Sequence, residues 1–120
     1  MKVNSTALAA GASTPAMRVI GFGRVGVCYV GDLDGETLSM EGALDTPGFD
    51  EATATWLPLF PNDSAATQET YTNSVNSLRP RVFQLPGGLW VRWTLSSGGG
   101  TPSGVYVLAD GENLKPAASN

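Results

Sequence analysis

The sequence predicts an all-β fold: an antiparallel β-sandwich, jelly-roll-like or immunoglobulin-like, of about eight short strands with an extended N-terminal arm. Three observations carry this. Along Leu89–Leu95, Leu89, Val91, Trp93 and Leu95 share one parity while Trp90, Arg92 and Thr94 take the other, the period-2 pattern of a half-buried strand. Glycine (15) and proline (8) recur through the 120 residues, so turns are frequent and strands short. No stretch carries an apolar stripe at the helical period of 3.6.

In chain order, residues 1–14 are small and polar and read as a short strand near Ser5–Ala10 or as an arm reaching away from the body. A sandwich domain over 15–111 follows, then a polar C-terminal tail over 112–120, expected to fray. Ala16–Ile20 is a candidate strand. After Gly21-Phe22-Gly23, the β-branched run Val25–Val30 reads as a buried one. Asp32-Leu33-Asp34-Gly35 supplies turn chemistry, with Asp-Gly a common hairpin dipeptide. Glu36–Ala43 alternates, Leu38 and Met40 against Thr37, Ser39 and Glu41. Asp45–Thr53, broken by Pro47-Gly48, is an acidic loop. Thr55–Phe60 is a short strand that Pro58, lacking an N–H, confines to an edge or end. Pro61–Thr70 is turn-like, and Glu69–Ser77 is a strand or an irregular crossover. Arg79–Leu85 is expected to pair with Leu89–Leu95 across Pro86-Gly87-Gly88. The Gly/Ser run after Leu95 forces a loop before the chain returns as Val105–Ala109.

Composition narrows the chemistry. Net charge is −4, and the seven basic residues are scattered, whereas phosphate binding draws on clustered Lys and Arg; direct nucleic-acid binding is not expected. With no histidine, a serine–histidine hydrolase and a Cys/His zinc site are both excluded. The single cysteine, Cys28, precludes an internal disulfide and reads as a small buried hydrophobe. No run approaches the length of a membrane-spanning helix, and the N-terminus is too weakly apolar for a signal peptide. A low charged fraction of 15% suits a chain that hides surface in an assembly.

Two motifs fail on context. Gly21-Phe22-Gly23-Arg24-Val25-Gly26 matches G-x-G-x-x-G, and Glu41 sits where a ribose-binding acid would. The pyrophosphate, however, needs a helix N-terminus, and the Asp32–Gly35 turn leaves no room for a helix. Asp32-Leu33-Asp34-Gly35-Glu36 begins like a calcium loop, but its twelfth position is Ala43, which cannot ligate. Asp32, Asp34, Glu36, Asp45, Asp50 and Glu51 could furnish a carboxylate pair for glycoside cleavage, yet they fall in turns, where acids are solvated. No catalytic residue, cofactor site or metal site is therefore expected.

The aromatic residues are more informative. With Trp93 facing the core, Trp90 points outward beside Arg92. On the returning strand, Tyr106 and Leu108 oppose Val105 and Val107. A free outer face is normally polar, so these residues imply a second covered or contacted surface. The expected partner interface is Trp90, Arg92, Tyr106 and Leu108, with Val3 and Leu8 from the arm. A different reading makes Trp90, Trp56 or Tyr71 a platform for stacking sugars.

The chain reads Gly31-Asp32-Leu33-Asp34-Gly35-Glu36-Thr37-Leu38-Ser39-Met40-Glu41, then Thr55-Trp56-Leu57-Pro58-Leu59, then Pro86-Gly87-Gly88-Leu89-Trp90-Val91-Arg92. In this order of segments it resembles the small all-β virion proteins of tailed bacteriophages, capsid decoration (cement) proteins in particular. It departs from them in the insertion Thr46–Thr53 and in the Trp90/Trp93 pair. The resemblance implies a non-enzymatic structural protein on the capsid surface, assembled in the host cytoplasm. Its partner would be the major capsid protein, and it would form a homotrimer or another homo-oligomer, without nucleic acid or membrane. The alternative is a tail-associated or receptor-binding module for host-surface glycans.

Overall fold

A computed structural model of the chain describes residues 2–59, 68–72, 81–111 and 113–116. The parts of the expectations that fall on residues 60–67, 73–80, 112 and 117–120, the fraying of the tail's end among them, lie outside them. Nine strands are present among the described residues, and no helix: β1 (Met17–Val19), β2 (Gly23–Asp32), β3 (Leu38–Leu44), β4 (Leu57–Pro58), β5 (Thr70–Tyr71), β6 (Arg81–Leu85), β7 (Leu89–Leu95), β8 (Ser103–Asp110) and β9 (Leu114–Pro116). They form two antiparallel sheets. The larger runs β4-β3-β7-β1-β9, with β5 also on β3; the smaller runs β6-β2-β8.

The expected alternation holds along the long strands. Met17, Val19, Leu38, Met40, Val91, Trp93 and Leu95 point inward from the large sheet. Val25, Val27, Tyr29, Leu85, Val105, Val107 and Ala109 meet them from the small one. Burial of this interior supplies the main driving force, since apolar area removed from water stabilises in proportion to its extent.

Connectivity differs from the sequence reading. Six of the eight connections between these strands pass from one sheet to the other. The Asp34-Gly35 turn closes no hairpin: β2 pairs with β6 and β8, whereas β3 pairs with β7. The reason lies just before it. A register shift between Val30 and Asp32 bends β2, and Gly31 adopts φ +128° where any Cβ would collide with the Gly104 carbonyl. Leu33 then turns fully into the core. β6 likewise pairs with β2 rather than with β7 across Pro86-Gly87-Gly88.

Both termini dock. Residues 2–8 lie along the open edge of β8: Val3 N–H donates to Val107 O (2.7 Å) and Leu8 N–H to Val105 O (3.1 Å). The buried Asn4 side chain completes that edge as a peptide group would. Its Oδ1 accepts the Val107 N–H at 3.0 Å, and its Nδ2 donates to Val105 O at 3.1 Å. Residues 11–14 then cross to β7, where the Thr14 hydroxyl oxygen accepts the Trp93 N–H at 3.0 Å. At the other terminus, Leu114–Pro116, read from sequence as part of a polar tail, is β9 on β1, with Leu114 in the core.

Candidate functional site

The two outer faces of the sandwich have opposite character. On the large sheet, the cross-strand rows place Trp90 between Arg18 and Ala43, Arg92 beside Glu41, and Thr94 between Ser13 and Ser39. The loop Asp45–Trp56 folds back over this face. Asp50 organises it locally, its Oδ1 accepting the Ala52 N–H (3.0 Å) and its carbonyl accepting from Thr53 and Ala54.

Aromatic rings hold the loop down. Phe49 stacks on Trp90 with centroids 4.4 Å apart and planes 2° from parallel, and Trp56 meets Phe49 edge-on at 6.0 Å. The Arg92 guanidinium lies 4.3 Å from the centre of the Trp56 ring, a cation–π contact. Asp45 accepts Trp90 Nε1–H at 2.9 Å and pairs with Arg18 at 2.9 Å. The indole bond, and after it Arg18, holds the Asp45 carboxyl below its usual range against the opposing effect of burial. Glu41 pairs with Arg92 (2.9 Å) and accepts the Thr94 hydroxyl (2.7 Å), which leaves the Ser13 hydroxyl to donate to Thr94 (2.8 Å).

The small sheet carries no such cover among the described residues. Cys28 and Val30 of β2 stand opposite Leu108 and Tyr106 of β8, all four half-buried on the outward parity, and Val82 of β6 beside Gly26 is exposed. Lys2 places its ammonium 4.3 Å from the centre of the Tyr106 ring. A shallow recess of about 300 Å³ opens between Val82, Gly26, Cys28 and Leu108.

The six residues expected at an interface are therefore divided. Trp90 and Arg92 lie on one outer face and Tyr106 and Leu108 on the other, with the sandwich between them. In the folded chain Trp90 is 7% exposed beneath its own loop, and Leu8, at 6%, belongs to the core. Val3 is half-buried against the core. Tyr106 and Leu108 remain partly open to solvent.

Of the aromatic residues considered for sugar stacking, Trp90 and Tyr71 are buried, and Arg92 lies over the Trp56 ring. The Tyr71 hydroxyl has no partner among the described residues. Burial, then the Glu69 charge, pushes its pKa above the ordinary value of 10.0.

A larger cleft of about 630 Å³ was not foreseen. One wall is the loop (Thr46, Phe49, Asp50, Ala54), the other the edge of the large sheet (Ala43, Leu44, Leu57, Leu59, Leu89). Its sequence signal was the pair Phe49 and Trp56 at either side of an acidic stretch, apolar anchors that draw the loop back onto the sheet. Scans against protein-family models, curated proteins and solved structures each return no match.

Proposed function

We propose that the protein is a non-enzymatic structural component of a tailed-phage particle, a capsid decoration protein that stabilises the shell by bridging capsid subunits. One observation supports a docking role above others: the outward positions of β2 and β8 carry Cys28, Val30, Tyr106 and Leu108, where a solvated sheet face would carry polar groups. Such a surface gains free energy when a partner covers it. The phage assignment rests on the order of segments that resembles decoration proteins. In this role each copy would contribute a modest interface, and repetition over the shell would supply the clamp through avidity.

The test is addition of the purified chain to expanded, undecorated shells. The reading expects saturable binding and a raised shell melting temperature, with both reduced by Tyr106→Asp and Leu108→Asp. Absence of binding by the unaltered chain overturns it. Binding to host-surface glycans, with a change in tryptophan fluorescence and no shell binding, would favour a tail-associated receptor module instead.

A further inference from the structure

Among the described residues, four of the five exposed large hydrophobic side chains gather at one end of the sandwich. Ile20 and Phe22 occupy the β1–β2 connection, Leu44 ends β3 and Leu57 begins β4; each is more than half exposed. The register fixes their common location. Val19 and Leu44 both stand opposite Leu89, and Leu57 stands opposite Gly42. Backbone bonds from Gly88 N–H to Val19 O (3.2 Å) and from Asp45 N–H to Gly88 O (2.9 Å) tie the same strand ends together.

The four side chains have two shapes. Leu44 and Leu57 are the lips of the 630 Å³ cleft, whose apolar walls Ala43, Leu59, Leu89 and Phe49 lie behind them. Ile20 and Phe22 contribute nothing to the cleft and project from the neighbouring turn. One end thus carries both an apolar knob and an apolar hole.

We propose that this end is a self-association surface, at which two copies close a twofold dimer with Phe22 of each inserted into the cleft of the other. A twofold contact needs a patch that complements itself, residue i meeting j while j meets i, and here knob and hole share one patch. Had they stood at opposite ends, the same contact would have propagated as an open chain. The extent is adequate: four such side chains present on the order of 500 Å² of apolar surface, near the upper range for a monomer. That is most of the ~800 Å² each partner gives to a standard interface. Charge agrees as well. Exposed Arg24 lies two residues beyond Phe22, and Asp50 lies on the cleft wall, so insertion brings opposite signs together.

The proposal is separate from the shell reading, because its test reads self-association alone. Sedimentation equilibrium of the full chain should show a monomer–dimer equilibrium. Phe22→Asp and Leu57→Arg, both at exposed positions, should each weaken it roughly tenfold or more, without lowering the melting temperature measured in dilute solution where the chain is monomeric. Mixing the two variants should restore dimers, since the mixed pair keeps one native knob-in-hole contact and sets Asp against Arg at the other. A chain monomeric at millimolar concentration, a trimer or open polymer, or a dimer indifferent to both substitutions overturns the proposal. Shell binding measured on the same variants reports on the other reading independently.

Discussion

The two ends of the sandwich are finished by opposite means. At one, the turn after β2 and the loop between β7 and β8 both cross between sheets, and carboxylates clasp them together. Glu36, only 3% exposed, accepts the Ser96 hydroxyl (2.7 Å) and the N–H groups of Gly98 (2.7 Å) and Gly100 (2.6 Å). Asp34 accepts the Thr101 N–H (2.7 Å) and hydroxyl (3.1 Å). Gly100 approaches so closely that a Cβ would strike the Asp34 carbonyl and the Glu36 carboxylate. At the other end the connections pack backbone on backbone, Gly87 against Ile20 and Gly21, and leucine and phenylalanine side chains are left in solvent. Charge-assisted hydrogen bonds, together with Leu33 anchored in the core, hold the crossings at the first end. The second leaves Ile20, Phe22, Leu44 and Leu57 more than half exposed.

The largest effect should come from breaking the clasp. Glu36→Ala removes a buried carboxylate that accepts from Ser96, Gly98 and Gly100, and hydrogen bonds to a charged group contribute more to stability than those between neutral groups. Calorimetry should show a fall in melting temperature larger than for any single substitution at the apolar end. Glu36→Gln, which keeps one acceptor oxygen, should fall between that variant and the unaltered chain.

Acid should reproduce part of this loss. The Ser96 hydroxyl, then the Gly100 and Gly98 amides, hold the Glu36 carboxyl below its ordinary value of 4.5. The Thr101 amide, then its hydroxyl, does the same for Asp34 against 3.8. Folding therefore favours the ionised forms, so their contribution is full above the unfolded values and fades as pH falls through 4.5 and then 3.8 toward the lower folded values. Chemical denaturation across this window should show stability decreasing with acid. Glu36→Gln should flatten the upper part of that slope and leave the Asp34 part in place.

The contrast also shows what the sequence could and could not convey. Side-chain parity was legible: Val91, Trp93 and Leu95 face inward, and Trp90, Arg92 and Thr94 outward, because the pleat alone sets that alternation. Sheet membership was not. Asp34-Gly35 and Pro86-Gly87-Gly88 announce a reversal of direction, but turn chemistry is the same whether the next strand pairs with the last or crosses to the opposite layer. The crossing after β2 depends on a register shift beside Gly31, on the burial of Leu33 and on Glu36 finding partners some sixty residues away. The arm misled for a related reason. In Thr6-Ala7-Leu8-Ala9-Ala10 a single large residue shows no periodicity, and only the edge of β8 explains why Leu8 is buried. Trp90 points outward as expected, and a distant loop seals it.

That seal offers a smaller perturbation. Phe49→Ala removes the ring stacked on Trp90 and the edge contact with Trp56, pairs of the kind worth about 0.5–1.5 kcal/mol beyond their buried area. Asp45 would still bind Trp90 and Arg18, so the sheet should stay intact while the loop opens more readily. Faster proteolysis within residues 46–55, a red shift in tryptophan emission and a modest drop in stability would agree. Unchanged proteolysis would show that the Asp45 bonds hold the loop without help from the rings.

The smallest effect belongs to the apolar end, and its smallness is informative. Phe22→Ser and Leu57→Ser remove side chains that stand mostly in water, so the isolated chain should change by no more than about 0.5 kcal/mol in either direction. Measured in dilute solution, where any dimer has dissociated, the melting temperature should hold within that margin. Raising the protein concentration should then separate the variants from the unaltered chain, because a ligand or second copy that binds the folded form stabilises it by mass action. A large loss already present in dilute solution would mean that Phe22 or Leu57 packs within its own chain. The two ends would then differ in chemistry while serving the same purpose, each closing its own half of the fold.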